Sequence, residues 1–434
     1  MYQAPRGTQD ILPADRPYWR YVIEQAQAVA ALFGYQQIDT PIFEETSLFV
    51  RGVGEGTDIV DKEMYSFQDK GGAEITLRPE FTAGVMRAYI EHGMHVLPQP
   101  VKLYSIGPIF RYERPQAGRF RQHHQFNVEA IGELDPAVDL EVMSLGWTLL
   151  SRLGYRGLNF QLNSTGCPRC RPAYRAALVA YFQGYEDRLN EVDRRRLASN
   201  PLRLLDSKEE AAQPLLNAAP HSLDYLCEEC SGHLARLRLY LDALGMSHKI
   251  NFRLVRGLDY YTKTVFEVWA EGIGAQSAVF GGGRYDGLIE ELGGPPTPGI
   301  GFGMGIERVI LSLKEQGIEP PALAYPRVQV SPLGEAARVP AIELVRDLRA
   351  VGIGALLAFG SRSLKSQLKS ADKAGVAFTL IIGDQELANG VAIARDMTTS
   401  QQTAVPMSQV VDWLGARLHD SANRVYFPVS KGNP

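Results

Sequence analysis

The sequence predicts an α/β (α+β) protein in two parts: a sheet-bearing body interrupted by a helical insertion, then a smaller α/β domain. Three observations carry that reading. VKLYSIGPIFRYE and FRQHHQFNVEAIG read as two strands joined by RPQAGR. From about 166 to 247 the chain turns helical and charge-rich, between the cysteine pairs CPRC (167–170) and CEEC (227–230). Beyond the Pro-rich link EPPALAYPR (319–327), strand and helix patterns alternate. The expected body is 1–325, with its insertion at about 166–247, and the second domain is 326–434.

The elements follow in order. Pro17 to Phe33 has helical apolar spacing (Tyr18, Tyr21, Val22, Ala26, Val29) and stops at Gly34. YQQIDTPIFEE reads as a strand broken at Pro41, and ITLRPEFTAGVMRAYIEHG as a strand end, a Pro turn and a helix. Leu140 to Leu153 is an amphipathic helix. After the insertion, NFRLVRGLDYYTKTVFEVWA and SAVFGGGRYDGLI read as strands, and PGIGFGMGIERVILSLKEQG as a Gly-rich strand entering a helix. In the last domain VQVSPL, IGALLAF and FTLIIGDQ are strands, separated by the helices AARVPAIELVRDLRAVG and LKSQLKSADKAG.

The chain has 434 residues, a formal net charge of -4 and 45% hydrophobic residues, ordinary for a globular protein. Its pI near 6.1 restricts any nucleic-acid contact to local basic patches. The N-terminal stretch has no apolar core of a signal peptide, and no run of about 18 apolar residues appears. A cytoplasmic protein with no membrane span is expected.

Against that charge balance, FRYERPQAGRFRQHHQF (110–126) packs in Arg111, Arg114, Arg119 and Arg121. Side chains alternate along a strand. Phe126, Val128 and Ala130 therefore share an apolar face; Gln125, Asn127 and Glu129 share the other, with Arg111 and Glu113 opposite them. Guanidinium and carboxylate groups on one surface can hold a phosphate and an amine together. The alternative is a wet, salt-bridged outer face. LRPEFTAG adds Glu80 and Thr82 at a strand-to-helix junction, and RGLDYYTKT concentrates Arg256, Asp259, Tyr260 and Tyr261. Polar groups at that density need partners if buried. GIGFGMGIERVIL alternates glycines into a helix start, letting a ligand approach the backbone, with Arg308 off the buried stripe Ile306, Val309, Ile310, Leu313.

Together these segments resemble the histidyl-tRNA synthetase family of class II aminoacyl-tRNA synthetases, over nearly the whole chain. FRYERPQAGRFRQ and GIGFGMGIERVIL are similar to the second and third class II signatures, and IDTPIFEETSLFVRGVGEGTDIV to the first, a dimer-interface element; RGLDYYTKTVFE and GGGRYDGLIEELGG resemble signatures of the histidine-specific branch. The resemblance implies a class II antiparallel-sheet catalytic domain and a C-terminal anticodon-binding domain. It implies a homodimer that joins L-histidine to ATP with Mg²⁺, releases pyrophosphate, and passes the histidyl group to the 3′ end of tRNA(His). By the same resemblance Arg111 grips the α-phosphate and Arg256 neutralises it from the opposite side. Glu113, Arg119, His123 and Arg308 complete the ATP site. Glu80, Thr82 and Gln125 hold the amino group, Glu129 and Tyr261 read the imidazole, and Tyr260 joins Arg111 and Arg256 in the histidine site. His123 stands where the family commonly has an aromatic residue, and Phe81 where glycine is frequent.

Two CxxC pairs, Cys167/Cys170 and Cys227/Cys230, have the knuckle spacing of a structural zinc site. Four free thiols are the alternative, and His221 and His233 are possible substitute ligands. Arg362, Lys365, Lys369 and Lys373 recur along one helix face. Alone that is a solvated face; within the family it is a tRNA contact, as are Arg114, Gln116 and Arg121. Two other functions stay open: a catalytically inactive synthetase-like regulatory subunit of histidine biosynthesis, and an adenylating ligase for another amino acid or amide.

Overall fold

The computed structural model describes residues 2–54, 57, 59–113, 120–271, 278–321 and 327–418. The chain forms two compact units, Met1–Pro320 and Pro321–Pro434. No helix among the described residues is long and apolar enough to cross a membrane.

The first unit is built on an eight-stranded sheet. Its strands run, edge to edge, Gln36–Gln37, Val101–Phe110, Gln122–Ile131, Gly299–Gly305, Ala278–Arg284, Thr262–Trp269, Asn159–Ser164 and His248–Ile250. The six central strands pair antiparallel, and the short edge strands pair parallel. The alternation along Gln122–Ile131 decides which face is which. Phe126, Val128 and Ala130 pack with Val142 and Leu149 of the helix Pro136–Arg152, and with Val22 and Val29 of Arg16–Leu32. Burying each large apolar side chain there contributes about 1.5–3 kcal/mol. Asp135 caps the Pro136–Arg152 helix by accepting from Ala137 N at 2.8 Å, and Pro136 supplies a preset first turn. The helix Ile306–Glu315 continues directly from the Gly-rich strand and buries Ile306, Val309, Ile310 and Leu313, the stripe expected from its sequence. With helices covering one face, the polar face of the same strands is left for chemistry.

A three-stranded antiparallel sheet (Phe43–Glu45, Glu74–Leu77, Tyr65–Gln68) stands apart and exposes Ile42, Phe43 and Phe67. Residues 166–247 hold helices Arg171–Gln183, Glu191–Ser199, Gln213–Asn217 and Glu228–Ala243, with an apolar cluster that includes Leu178, Phe182 and Leu204.

One expected strand is only half formed. In NFRLVRGLDYYTKTVFEVWA the strand starts at Thr262, and residues 251–261 are irregular. The reason is competition for backbone groups: the carbonyls of Gly257 and Tyr261 are taken by side chains of the insertion, Arg203 and Arg171, instead of a neighbouring strand.

The second unit has a five-stranded sheet ordered Ala355–Leu357, Val328–Pro332, Phe378–Ile382, Val391–Asp396, Gln402–Pro406. The first three strands are parallel and the last two antiparallel, and the closing pair goes beyond the α/β alternation expected of the domain. Val328, Val330, Leu344, Leu348, Leu380 and Leu414 form a core of its own. A separate core predicts independent folding. Residues 321–434 expressed alone should show one cooperative thermal transition by circular dichroism; a non-cooperative melt would contradict a self-sufficient core.

Candidate active site

The polar face of the sheet is floored by glycine. Gly301 pairs with Glu129, Gly303 with Asn127 and Gly305 with Gln125 across the adjacent strands. A Cβ on Gly301 would sit 2.0 Å from Glu129 Oε2, and one on Gly281 would sit 2.7 Å from Arg256 Nη1. These glycines leave space for charged side chains to lie flat over the strands.

Glu129 is the centre of a buried cluster. Its carboxyl accepts from Thr82 Oγ1 at 2.6 Å, from Asn127 Nδ2 at 2.7 Å, and from the Tyr285 hydroxyl. Burial pushes its pKa up to about 8, although those three donors pull the other way. Glu80 accepts from the amides of Thr82 and Ala83, at 2.5 and 2.7 Å, at the start of the Thr82–Glu91 helix. Tyr260 and Tyr261 close the cluster, with ring centroids 4.8 Å apart and the Tyr285 ring 5.7 Å from Tyr260.

Beside this cluster lies a cavity of about 500 Å³. Arg111, Glu113, His123, Gln125, Arg256 and Arg308 all line it. Arg111 is steadied by donating Nε to the Pro79 carbonyl at 2.7 Å. Arg256 donates Nη1 to Glu267 at 2.5 Å, while its buried Nε has no hydrogen-bond partner among the described residues. His123 holds Phe120 O at 3.2 Å through Nδ1. Burial first, and the nearby Arg111 guanidinium second, lower the His123 pKa to about 3. The ring is therefore neutral at physiological pH. Nδ1 must carry the proton it shares with the carbonyl, which leaves Nε2 as an acceptor.

The expected residues thus fall into two adjoining sets. Glu80, Thr82, Glu129, Tyr260 and Tyr261 form the buried set; the cavity set faces outward. Tyr261 lies against Arg256, and Glu80 feels the Arg111 charge, so the sets are joined through those two arginines. Arg121 stands apart from both: its guanidinium lies 3.7 Å from the Tyr112 ring centroid, and its stem fills the space above Gly7. Arg114, Gln116 and Arg119 lie outside the described residues. Phe81, which stands where the family frequently has glycine, is buried with Arg78 over its ring at 4.2 Å.

Three members of the site were not singled out in the sequence: Tyr285, Glu267 and Glu307. Glu307 accepts from both His124 N and His124 Nδ1 at 2.9 Å, tying the Gly-rich strand's helix to the arginine-bearing hairpin. A signal existed for Glu267, a lone carboxylate in the apolar run VFEVW. For Tyr285 it lay in the GGGRYDGL motif itself.

The four cysteine Sγ atoms gather within 4.8 Å of one another. Cys167 lies 3.7 Å from Cys170 and 3.9 Å from Cys227, and Cys170 lies 3.8 Å from Cys230. Arg169 donates to Cys227 Sγ and lowers its pKa to about 6, whereas burial raises that of Cys230. His233 and His221 do not substitute as ligands. His233 Nε2 is held by Asp139 at 2.8 Å, and His221 stacks on Phe252 with centroids 3.8 Å apart.

In the second unit, Lys365, Lys369 and Lys373 share the exposed side of the helix Leu364–Lys373, opposite buried Gln367 and Ala371; Arg362 is exposed just before it. A separate cleft of about 640 Å³ is bounded by Arg338, Phe359 and Arg362, and Phe359 is 76% exposed.

The order of these features along the chain matches known proteins. Residues 7–309 fit the family model of histidyl-tRNA synthetase, and residues 327–417 that of an anticodon binding domain. A histidine–tRNA ligase of Dehalococcoides mccartyi is 53% identical over 411 residues, covering 95% of this chain and 98% of that one. One from Desulforamulus reducens is 49% identical over 413 residues, covering 95% and 99%. A crystal structure of apo histidyl-tRNA synthetase from S. aureus superposes with a TM-score of 0.81 at 39% identity, covering 95% and 99%. With a family model spanning 7–309 and relatives about half identical over nearly their whole length, the chain belongs to the histidyl-tRNA synthetase family.

Proposed function

We propose that this chain is a histidine–tRNA ligase in which the buried Glu129 cluster selects histidine and the arginine-lined cavity binds ATP. The observation that carries the reading is the adjacency of the two sets across Arg111 and Arg256. Full-length relatives named as ligases favour this function over that of an inactive regulatory subunit.

In this reading the histidine carboxylate and the ATP α-phosphate meet between Arg111 and Arg256. Glu80, Thr82 and Gln125 hold the amino group; Glu129 and Tyr261 read the two ring nitrogens; Tyr260 packs beneath. A paired donor and acceptor reject amino acids without the ring, because their buried groups would go unpaired. Neutral His123 and Glu113 face the adenine, Arg308 takes the far phosphates, and Arg119 joins them. Once carboxylate and phosphorus are aligned, charge placement does most of the work. Mg²⁺ enters with the nucleotide on phosphate oxygens, and the Glu113 and Glu307 carboxylates beside the cavity are donors of the kind it takes.

Zinc suits the cysteine cluster. A tetrahedral ion with bonds of about 2.3 Å sets its sulfurs about 3.8 Å apart, and three pairs here are 3.7, 3.8 and 3.9 Å apart. The ion would clamp the insertion. The exposed Ile42, Phe43 and Phe67 sheet is the surface for a homodimer, and the cytoplasm is the compartment. The tRNA partner is tRNA(His). Its anticodon end meets the second unit through Arg362, Lys365 and Lys369, with Phe359 as a platform for a base. Arg114, Gln116 and Arg121 serve the acceptor end.

Histidine-dependent exchange of pyrophosphate into ATP should be present, and exchange with another amino acid instead would sink the specificity. Arg256→Ala should keep histidine binding within a few-fold while adenylation falls about 10²–10³-fold; equal losses in both would refute its role at the transition state.

Glu129 gives a pH signature. It must be ionised to accept from the imidazole N–H, and its raised pKa means that the carboxylate grows in as pH rises. The kcat/KM for histidine should therefore increase through about pH 8. Glu129→Gln should remove that rise and lower kcat/KM about 10- to 100-fold. A pH profile unchanged by the substitution would assign the titration elsewhere.

Phe359→Ala should raise the KM for tRNA in charging about 10-fold, the size of one lost stacking contact, and leave pyrophosphate exchange untouched. An equal effect on exchange would point to misfolding in place of RNA contact.

A further inference from the structure

The segment 256–261 carries Arg256, Tyr260 and Tyr261 and is irregular, and the strand takes over only at Thr262. The insertion braces this stretch. Arg203 donates to Gly257 O at 2.6 Å, and Asn200 to Asp259 Oδ1 at 2.8 Å. Arg171 donates Nη2 to the Tyr261 carbonyl, and also reaches Thr165 Oγ1 and Gly166 O, each at 3.3 Å. Glu229 receives Lys263 Nζ at 2.9 Å.

These contacts converge on the cysteine cluster. Arg171 directly follows Cys170, and Glu229 lies between Cys227 and Cys230. Just before the first knuckle, Thr165 N donates to Lys263 O and Lys263 N donates to Gly166 O, both at 2.9 Å. Lys263 has φ +48°, a left-handed conformation that a lysine adopts only when its surroundings impose it. Gly166 is itself at φ +69°, and a Cβ there would meet Cys170 Sγ at 2.7 Å. Both knuckles thus grip the short stretch Tyr261–Lys263, one from each side. The second is anchored independently, since His233, one turn past Cys230, is held by buried Asp139, which also pairs with buried Arg284. Arg284 precedes Tyr285, the donor to Glu129.

We propose that the four-cysteine cluster, through the positioning residues Arg171 and Glu229, sets the placement of Tyr261 and thereby the affinity for histidine. The proposal rests on the reading that the buried set binds histidine and that the cluster holds zinc. Neither Arg171 nor Glu229 touches substrate in this scheme. Each holds a backbone or side-chain anchor beside the residue that does, and small misplacements of a recognition group are costly.

The test uses the full-length purified protein and equilibrium binding. Zinc is counted by atomic emission, then stripped with a mercurial and chelator, and histidine and ATP dissociation constants are measured by calorimetry before and after. Arg171→Ala, Arg171→Lys and Glu229→Gln are measured with their metal content, beside Glu228→Gln as a control on the same turn. Stripping should weaken histidine binding about tenfold and ATP binding less than twofold. Arg171→Ala and Glu229→Gln should do the same with zinc retained, Arg171→Lys should recover part of the loss, and Glu228→Gln should be silent. Zinc released with histidine binding unchanged would overturn the proposal. No zinc in the native protein would refute the metal reading, and unchanged histidine binding in Arg171→Ala and Glu229→Gln would then refute the positioning role as well. A native protein that binds no histidine would refute the functional reading itself.

Discussion

A carboxyl group shut away from water organises this site. Glu129 sits in the middle of a sheet, 1% exposed, on a strand whose opposite face is hydrophobic core. A buried carboxyl is tolerated only with its lone pairs matched. That requirement reaches across the sequence: Thr82 comes from a helix start, Asn127 from the same strand, and Tyr285 from just past the end of strand Ala278–Arg284. It also dictates the glycine at 301, since any side chain there would occupy the space of the carboxylate. The alternating glycines are therefore a consequence of the charged face, as much as a device for admitting a ligand.

Arg111 and Arg121, the two described arginines of the 110–126 stretch, part ways. Arg111 is drawn inward by the Pro79 carbonyl and contributes to the cavity. Arg121, ten residues on, lies against Tyr112 and the N-terminal segment at Gly7. Sequence density of charge says little about shared purpose. What divides them is the hairpin geometry, which places Arg111 and Arg121 as backbone partners with side chains bound for different neighbours.

Period-two alternation on 122–131 assigns the apolar and polar faces from sequence, because one face packs on helices and the other carries polar groups. The helix at 306–315 was legible for the same reason: its stripe is buried on one side only. The stretch 251–261 was not. Its Leu, Val and Tyr residues favour a strand, but hydrogen-bond partners 50 to 90 residues earlier in the chain claim its backbone. No local pattern encodes a partner that distant. Tyr285 escaped for a related reason, since a tyrosine between Arg and Asp looks like any half-buried aromatic until its hydroxyl is found on Glu129. The cysteine pairs were legible as a pair of knuckles. That the adjoining Arg171 and Glu229 pair with Tyr261 and Lys263 was not.

These failures share a cause that bears on how the molecule works. The cavity half of the site is built from strands and a strand-fed helix, elements that hold their own geometry through regular pairing. The half carrying Tyr260 and Tyr261 is irregular, and irregular backbone has no ladder to fix it. Something else must supply rigidity, because under the proposed reading this half selects one ring by two nitrogens, which demands placement to a fraction of an ångström. The insertion meets that demand by touching the loop at Gly257, Asp259, Tyr261 and Lys263, every second residue along it. A clamp of that kind is only as firm as its own small core, and closing its two ends through four sulfurs is the most economical way to stiffen it. Recognition of histidine and the integrity of the cysteine cluster are on this account one structural property, held at two ends of the same few residues.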